Sequence, residues 1–168
     1  MIGFKDKTTG LTGAELLRQE VTTKLMLDAL IGPSSKLYQQ LYENDLISDS
    51  FGHEYNSSPH YGFSVMGGDT PNPDELLTQI RSAVEAILEN GIEPAAFERS
   101  KRKKIGGFLR MLNSPEAIAS EFTRYRFRES SMFDVLAFYE SCTLEEINDR
   151  LREHFDFDQL AVSIVKQP

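Results

Sequence analysis

Hydrophobic residues follow a helical period over long stretches of the chain and a two-residue period over short ones. The helical period predicts a first helix after Thr12, where Glu15 completes a capping box, and others that start at Ser34–Ser35 and at Asn72. Further helices are predicted at 94–112, at 113–127, at 132–139 and after the Thr143 cap. Runs rich in β-formers predict strands at 2–5, 49–55, 61–66 and 160–165.

A helix corner is predicted between the first two helices, in the stretch I-G-P-S-S-K-L-Y-Q-Q-L-Y. Gly32 can adopt a left-handed helix stop, and Pro33 disfavours helical geometry in the residue before it. Ser34 or Ser35 then caps the second helix by accepting a backbone N–H. The aliphatic residues of the corner are expected to fix it to the core; they are Leu37, Leu41, Leu46 and Ile47.

The order of the elements is one strand, two helices, two strands, a run of helices and a last strand. Segregated elements of this kind predict an α+β fold, in which helices cover one face of a small antiparallel sheet of about four strands. The chain has 168 residues, a length that suits a single domain.

The charge balance and the single cysteine restrict the function and the compartment. The chain has 18 basic and 26 acidic residues, and this net charge of −8 argues against nucleic acid or an anionic membrane as a partner. No apolar run reaches the roughly 18 residues of a membrane span, and no signal peptide is recognisable. Cys142 is the only cysteine, so an internal disulfide is excluded and the cytoplasm is expected.

Metal and thiol chemistry find little support in the sequence. The three histidines are His53, His60 and His154, and none forms an H-x-x-E-H or H-E-x-x-H pair. A hairpin could bring His53 and His60 together, but ordinary sheet histidines are the favoured interpretation. A thiolate at Cys142 would gain from the helix that follows it, yet no motif surrounds this residue, so a structural role is favoured.

Two other stretches have both a functional and a structural interpretation. Gly67-Gly68-Asp69-Thr70 precedes a helix and could hold a phosphate, but it lacks a known phosphate-loop pattern, so a turn is favoured. The segment 98–104 carries five cations and is interpreted as the solvated face of a helix, with a local anion-binding patch as the alternative.

The densest mixture of cations and aromatic rings is Arg124-Tyr125-Arg126-Phe127-Arg128. Arginine can hold a carboxylate or a carbonyl, and a tyrosine O–H can donate to a developing oxyanion. On spacing alone an amphipathic helix end is favoured, with Phe122 and Tyr125 pointing inward and the arginines stabilising the helix dipole.

These motifs occur in an order that resembles one enzyme family. The stretches are G-P-S-S-K-L-Y-Q-Q-L-Y, D-S-F-G-H-E-Y, G-G-D-T-P-N-P, F-E-R-S-K-R-K-K-I-G-G, and N-S-P-E followed by R-Y-R-F. Together they resemble the C-terminal half of insulinase/pitrilysin-family zinc peptidases, and most of all a processing-peptidase-like bacterial branch found in Firmicutes. The resemblance covers nearly the whole chain.

The resemblance implies a fold of the LuxS/MPP-like type and a division of labour between two domains. Residues 1–168 would be a single domain that corresponds to most of the non-zinc domain. The zinc, held by an H-x-x-E-H motif, would belong to an N-terminal catalytic domain that is absent from this chain. Implied partners are a peptide substrate, that zinc domain and a second family subunit, as a homo- or heterodimer. The alternative is a non-catalytic partner subunit or peptide-binding scaffold.

The resemblance also implies roles for individual residues. Tyr125 matches a family tyrosine that contacts the substrate near the scissile bond, and is the expected catalytic contact. The family arginine lies about two helical turns earlier, where this chain has Ile118. Arg124 and Arg126 are the expected substrate-binding substitutes, and Arg110 lies further upstream. No metal ligand is expected in this chain.

Overall fold

The computed structural model describes residues 1–165 and contains four strands and seven α-helices. The strands are β1 (Ile2–Lys5), β2 (Gly52–Ser58), β3 (Tyr61–Gly67) and β4 (Leu160–Val162). The helices are α1 (Gly13–Ile31), α2 (Lys36–Glu43), α3 (Pro73–Asn90), α4 (Pro94–Met111), α5 (Pro115–Phe127), α6 (Asp134–Ser141) and α7 (Leu144–His154). A short 3-10 helix at Phe157–Gln159 leads into β4.

The strands form one antiparallel sheet in the order β2-β3-β1-β4. In the register of the sheet, Ser64 of β3 lies opposite Phe4 of β1 on one side and Tyr55 of β2 on the other. These three side chains therefore share the helix-covered face. The opposite face exposes an aromatic pair, Tyr61 and Phe63, whose ring centroids are 5.8 Å apart. The predicted α+β architecture with helices on one face is therefore confirmed.

Helix α1 is the centre of the core. It packs against β2, α4, α6 and α7, and most of its length is buried. Two of its buried residues are acidic, Glu20 and Asp28. Burying a carboxylate is costly unless it is paired, so cations must approach α1 from the surrounding elements.

The predicted corner between α1 and α2 is present. Ser35 caps α2 by accepting the N–H of Tyr38 at 3.1 Å, and Leu41, Leu46 and Ile47 are buried. Gly32 differs from the prediction, because its φ of −66° and ψ of 159° are extended rather than left-handed. It is required for space, since a Cβ at this position would collide with the carbonyl oxygen of Asp28.

One predicted cap and several predicted strand boundaries are wrong, among them the start of the strand predicted at 49–55, which begins at Gly52. Thr12 lies at the N-cap of α1 but its side chain accepts no capping hydrogen bond, so no capping box forms there. The predicted turn 56–59 is shorter, because Ser57 and Ser58 pair with β3 and leave only Pro59-His60 to reverse the chain. Strand β4 ends at Val162, three residues before the predicted end.

A buried polar network connects the sheet to the helix layer. Asp6, just after β1, accepts hydrogen bonds from Arg150 (2.5 Å), from Tyr55 (2.6 Å) and from Nδ1 of His154 (2.5 Å). The other ring nitrogen of His154 lies 2.7 Å from the Ser64 hydroxyl. Burial lowers the pKa of His154, so the ring is neutral at pH 7: Nδ1–H donates to Asp6 and Nε2 accepts from Ser64.

Ser64, His154 and Asp6 thus have the connectivity of a nucleophile, a base and an orienting acid. Both Ser64 and His154 are 0% exposed, so no substrate can reach them, and the arrangement is structural. No helix among residues 1–165 is long and apolar enough to cross a membrane.

Candidate functional site

Tyr125 is the only buried residue of α5, the helix that begins at the Ser114 cap. The guanidinium of Arg124 lies over its ring, 4.1 Å from the centroid. Burial and the nearby carboxylate of Glu20 raise the pKa of Tyr125 above its ordinary value. The hydroxyl is therefore protonated at neutral pH and available as a hydrogen-bond donor.

Arg124 is held in place by carboxylates on both sides. Its Nη1 donates to Glu20 at 3.0 Å, and its Nη2 donates to Glu121 at 2.6 Å. Arg128 and Lys24 also donate to Glu20, at 2.8 and 2.5 Å. Burial alone would raise the pKa of Glu20, but these cations lower it, so Glu20 is ionised and anchors α5 to α1.

Tyr125 and Arg124 line an open cleft of about 480 Å³. Its walls come from α1, β2, α4, α5 and α6; charged residues in them are Lys24, Lys103, Lys104, Arg110, Glu54 and Glu121. Glu54 and Tyr55 point to opposite faces of the sheet, yet both line the cleft. The cleft therefore runs along the edge of β2 that has no partner strand among residues 1–165.

This arrangement can bind an extended peptide and donate hydrogen bonds to it. A sheet edge offers unpaired backbone groups to a peptide strand. The cations along α4 and α5 are donors only, and the protonated hydroxyl of Tyr125 can also donate, so these groups suit carbonyl or carboxylate oxygens.

The structure brings some of the predicted site residues together in the cleft and leaves others outside it. Tyr125 and Arg124 come together in the cleft, and Arg110 lines it as well. Arg126 is exposed and is not among the lining residues, and Ile118 is half-buried. Phe122, which the amphipathic interpretation placed inward, is 44% exposed and packs against Phe133 on the surface, so that part of the prediction is wrong.

The cationic segment 98–104 is only partly a solvated face. Arg99 and Arg102 are exposed, as predicted. Lys101 donates to the carbonyl oxygens of Glu140 and Cys142 at the end of α6, and Lys103 donates to the buried Asp28 at 2.6 Å. Lys103 and Lys104 line the cleft, so one half of this segment is part of the candidate site.

The thiol and the glycine turn have structural roles. Burial raises the pKa of the Cys142 thiol to about 11, so the thiolate is not formed at neutral pH. Gly68 passes so close to the backbone of Phe51 that a Cβ would lie 2.7 Å from its Cα. Asp69 exchanges hydrogen bonds with Ser50, which leaves the turn engaged with its neighbour.

The histidine hairpin does not assemble a metal site. His53 lies at the start of β2, and His60 lies in the turn at its other end. The six residues between them separate the two side chains by about 17 Å along the strand. Residues 1–165 contain no group of three or more His, Cys, Asp or Glu side chains that could hold a metal ion.

We expect the chain to bind no zinc in stoichiometric amount, because four-coordinate zinc needs three or four converging ligands. Metal analysis after dialysis against zinc and then against buffer measures this directly. A His53→Ala variant is the control. One tightly held zinc per chain that is lost in this variant would contradict the prediction.

Sequence reasoning missed most of the cleft. Lys24, Glu54 and Tyr139 gave no motif, because they come from two helices and a strand that meet only in the folded chain. One signal was available: Glu20 and Asp28 fall on the apolar face of α1, and a carboxylate there requires a cation from another element.

Comparisons with known proteins place this chain among peptidase domains. A family model described as the peptidase M16 inactive domain matches residues 9–104. The uncharacterized zinc protease YmfH of Bacillus subtilis is 41% identical over 164 residues, which are 96% of this chain and 38% of YmfH. An M16-like peptidase from Alicyclobacillus acidocaldarius superposes with a TM-score of 0.91 at 33% identity, over 95% of this chain and 38% of that one.

A third relative is similar in fold alone. The inactive peptidase domain of a protein named as a zinc protease from Bordetella parapertussis has a TM-score of 0.74 at 13% identity. The match covers 99% of this chain and 91% of that domain. The resemblance inferred from the sequence motifs is confirmed by these comparisons.

Proposed function

Because this chain belongs to peptidase family M16, as the inactive C-terminal domain of zinc protease-like proteins, we propose that it encloses a peptide substrate during zinc-dependent cleavage. The chain spans 38% of the length of its curated relative YmfH. In this proposal the zinc and the general base belong to an N-terminal domain outside the sequence, and residues 1–168 supply one wall of the chamber.

The observation that carries the proposal is the cleft beside Tyr125. It joins a strand edge, which can pair with an extended peptide, to a buried tyrosine hydroxyl and a fixed arginine. Donors that are already in place stabilise developing charge without reorganisation. The ion pairs from Glu20 to Arg124 and Arg128 provide this rigidity.

We assign separate roles to the three expected site residues. Tyr125 donates its O–H to the oxyanion that forms at the scissile carbonyl. Arg124 orients the substrate backbone and Tyr125 itself, because its guanidinium covers the tyrosine ring. Of the two arginines that the sequence suggested for substrate binding, Arg126 is the one expected to behave as a surface residue, since it is exposed outside the cleft.

A second candidate function is a non-catalytic partner subunit that binds peptide. The observation that favours it is Ile118, which stands where the resembled family has its arginine and is half-buried on α5. Both functions use the same cleft. They differ in the protein that contains the chain: only the first requires an H-x-x-E-H motif and metal-dependent cleavage.

We expect the 168-residue chain alone to cleave no peptide, while the full-length protein cleaves unstructured peptides and loses this activity with a chelator. The reason is that the proposed function places the zinc ligands and the general base in the N-terminal domain, where zinc would activate water for peptide cleavage. The measurement is a fluorogenic peptide assay on both proteins at equal molar concentration.

Metal-dependent cleavage by the purified chain, abolished by Tyr125→Phe so that a contaminant is excluded, would contradict the proposal. Full-length protein that holds zinc but binds peptide without cleaving it would instead establish the partner-subunit function.

A further inference from the structure

The cleft beside Tyr125 contains more positive charge than the neighbouring acids require. The cations in and behind it are Lys24, Lys103, Lys104, Arg110, Arg124 and Arg128. Among residues 1–165, the carboxylates that face them are Glu20, Asp28, Glu54 and Glu121. This local excess stands out in a chain with a net charge of −8.

The excess positive charge is concentrated on helix α4. Glu20 is fully occupied by Lys24, Arg124 and Arg128. Asp28 is shared by two cations of α4: it accepts a hydrogen bond from Lys103 at 2.6 Å and forms a longer ion pair with Lys104 at 3.6 Å, so one carboxylate faces two positive charges.

Arg110 forms no ion pair within residues 1–165. Lys103, with its side chain 47% exposed, keeps two of its three N–H donors.

Two of the α4 cations, Lys103 and Arg110, lie on either side of a glycine, which leaves the helix surface between them without a side chain. Lys103, Gly107 and Arg110 are spaced four and three residues apart, so they lie on one face of α4 with the glycine between the cations. The two cationic positions are about 10 Å apart along the axis, and their long side chains can converge above Gly107.

Gly107 has no packing reason to be glycine. It lies in the interior of α4, where glycine is unfavourable relative to alanine, and a Cβ at this position would meet nothing within 4 Å. Its neighbour Gly106 also has room for a Cβ, whose nearest contact would be Arg110 at 3.6 Å, but Gly106 does not line the cleft. At Gly107 the missing side chain leaves space for a ligand to approach the helix backbone.

We propose that the substrate peptide carries a carboxylate into this cleft, where Lys103, Lys104 and Arg110 bind it above Gly107. This inference rests on the proposed function and adds a substrate class to it: peptides with an acidic group near the bond that is cut. The carboxylate can come from an aspartate or glutamate side chain or from the peptide's own C-terminus, because both present the same two oxygens to the cations.

The test is a binding titration of the ¹⁵N-labelled 168-residue chain, followed by NMR at the Gly107 amide. Three peptides of equal length are compared: a capped peptide with central glutamates, the same peptide with glutamines, and the glutamine peptide with a free C-terminal carboxylate. We expect at least one carboxylate peptide to bind about tenfold more tightly than the capped glutamine peptide, a difference of about 1.4 kcal/mol. Added salt should reduce this preference, since the cleft is open to solvent.

Substitutions identify the groups responsible. Lys104→Met and Arg110→Met should each remove most of the tenfold preference, so that the carboxylate peptides bind each variant about as weakly as the capped glutamine peptide does. Lys36→Met is the matched control, because Lys36 is exposed and pairs with Glu93 away from the cleft.

Gly107→Ala and Gly106→Ala form a second matched pair. Both should raise Tm by about 2–4 °C, since alanine favours the helix. Only Gly107→Ala should weaken carboxylate binding, by about tenfold, and a purely structural role of Gly107 would not produce this combination.

The outcomes separate the inference from the proposed function. Equal affinity for all three peptides, with shifts at Gly107, would overturn the carboxylate preference and leave peptide binding intact. No binding of any peptide at millimolar concentration would overturn both. Unchanged affinity in Gly107→Ala would overturn the placement of the ligand above this residue.

Discussion

In the full-length protein, Tyr125→Phe is expected to lower kcat about 10²–10³-fold while KM and Tm stay nearly unchanged. The phenolic O–H would donate to the oxyanion, an interaction made mainly in the transition state, and the loss of one such donor costs about 3–4 kcal/mol. Phenylalanine keeps the ring, its packing and the contact with Arg124. Steady-state kinetics and a melting curve for each variant provide the measurement.

Two controls separate this role from a structural one. Tyr38→Phe removes the hydroxyl of a half-buried tyrosine in the corner between α1 and α2, and it should leave kcat unchanged. Arg124→Ala should raise KM, while Arg126→Ala should behave as a surface change. If Tyr125→Phe retains full kcat and only Tyr125→Ala lowers Tm through a lost core contact, the hydroxyl has no catalytic role.

The second large effect is expected in the buried network around Asp6. Asp6→Asn should lower the free energy of unfolding by about 3–5 kcal/mol, because it removes the buried counter-charge of Arg150 and leaves only the exposed Glu153, 3.6 Å away. Asp156→Asn is the matched control; Asp156 pairs with Lys7 at the surface, and because solvent screens an exposed ion pair, its loss should leave the free energy of unfolding nearly unchanged. Urea unfolding of the three proteins measures the difference. A cost for Asp6→Asn no greater than for Asp156→Asn would contradict the importance of the network.

The same network predicts how stability depends on pH. Burial alone would raise the pKa of Asp6, but the hydrogen bond from His154 and the charge of Arg150 lower it to about 2. A depressed carboxyl pKa stabilises the fold above the unfolded value of 3.8, and this contribution is lost as the pH falls from about 4 towards 2. The lowered pKa of His154 acts in the same direction from about pH 6.5 downward, because the unfolded chain takes up the proton first. Asp6→Asn should make the loss of stability below about pH 4 smaller; Glu20 and Asp28, whose pKa values are also lowered by neighbouring cations, account for the rest.

Local signals in the sequence predicted the helix starts well. Ser35, Asn72 and Ser114 cap α2, α3 and α5 as expected, and Thr143 with Glu146 forms a complete capping box. Such caps depend on residues three positions apart, so the sequence contains the information. The predicted boundary of the hairpin turn was wrong because strand pairing with β3 outweighed the turn preference of Asn56, Ser57 and Ser58.

The polar sites could not be predicted in the same way. Asp6 and Arg150 are 144 residues apart in sequence, and nothing local indicates that they meet. The cleft likewise combines Lys24, Lys104 and Tyr125 from three helices. Tyr125 was found only through the resemblance of R-Y-R-F to a family motif, whereas the spacing of residues on α5 alone favoured a simple amphipathic helix.

Photo-crosslinking can map where a substrate peptide touches this domain, and it tests directly whether the cleft beside Tyr125 is the peptide site. A peptide with a photo-reactive benzophenone is bound to zinc-free full-length protein, irradiated, digested with trypsin and located by mass spectrometry. We expect labelling in the segments 105–110 and 111–124, which bracket the cleft from Gly107 to Arg124. Labelling confined to Tyr61 and Phe63, on the opposite face of the sheet, would contradict it.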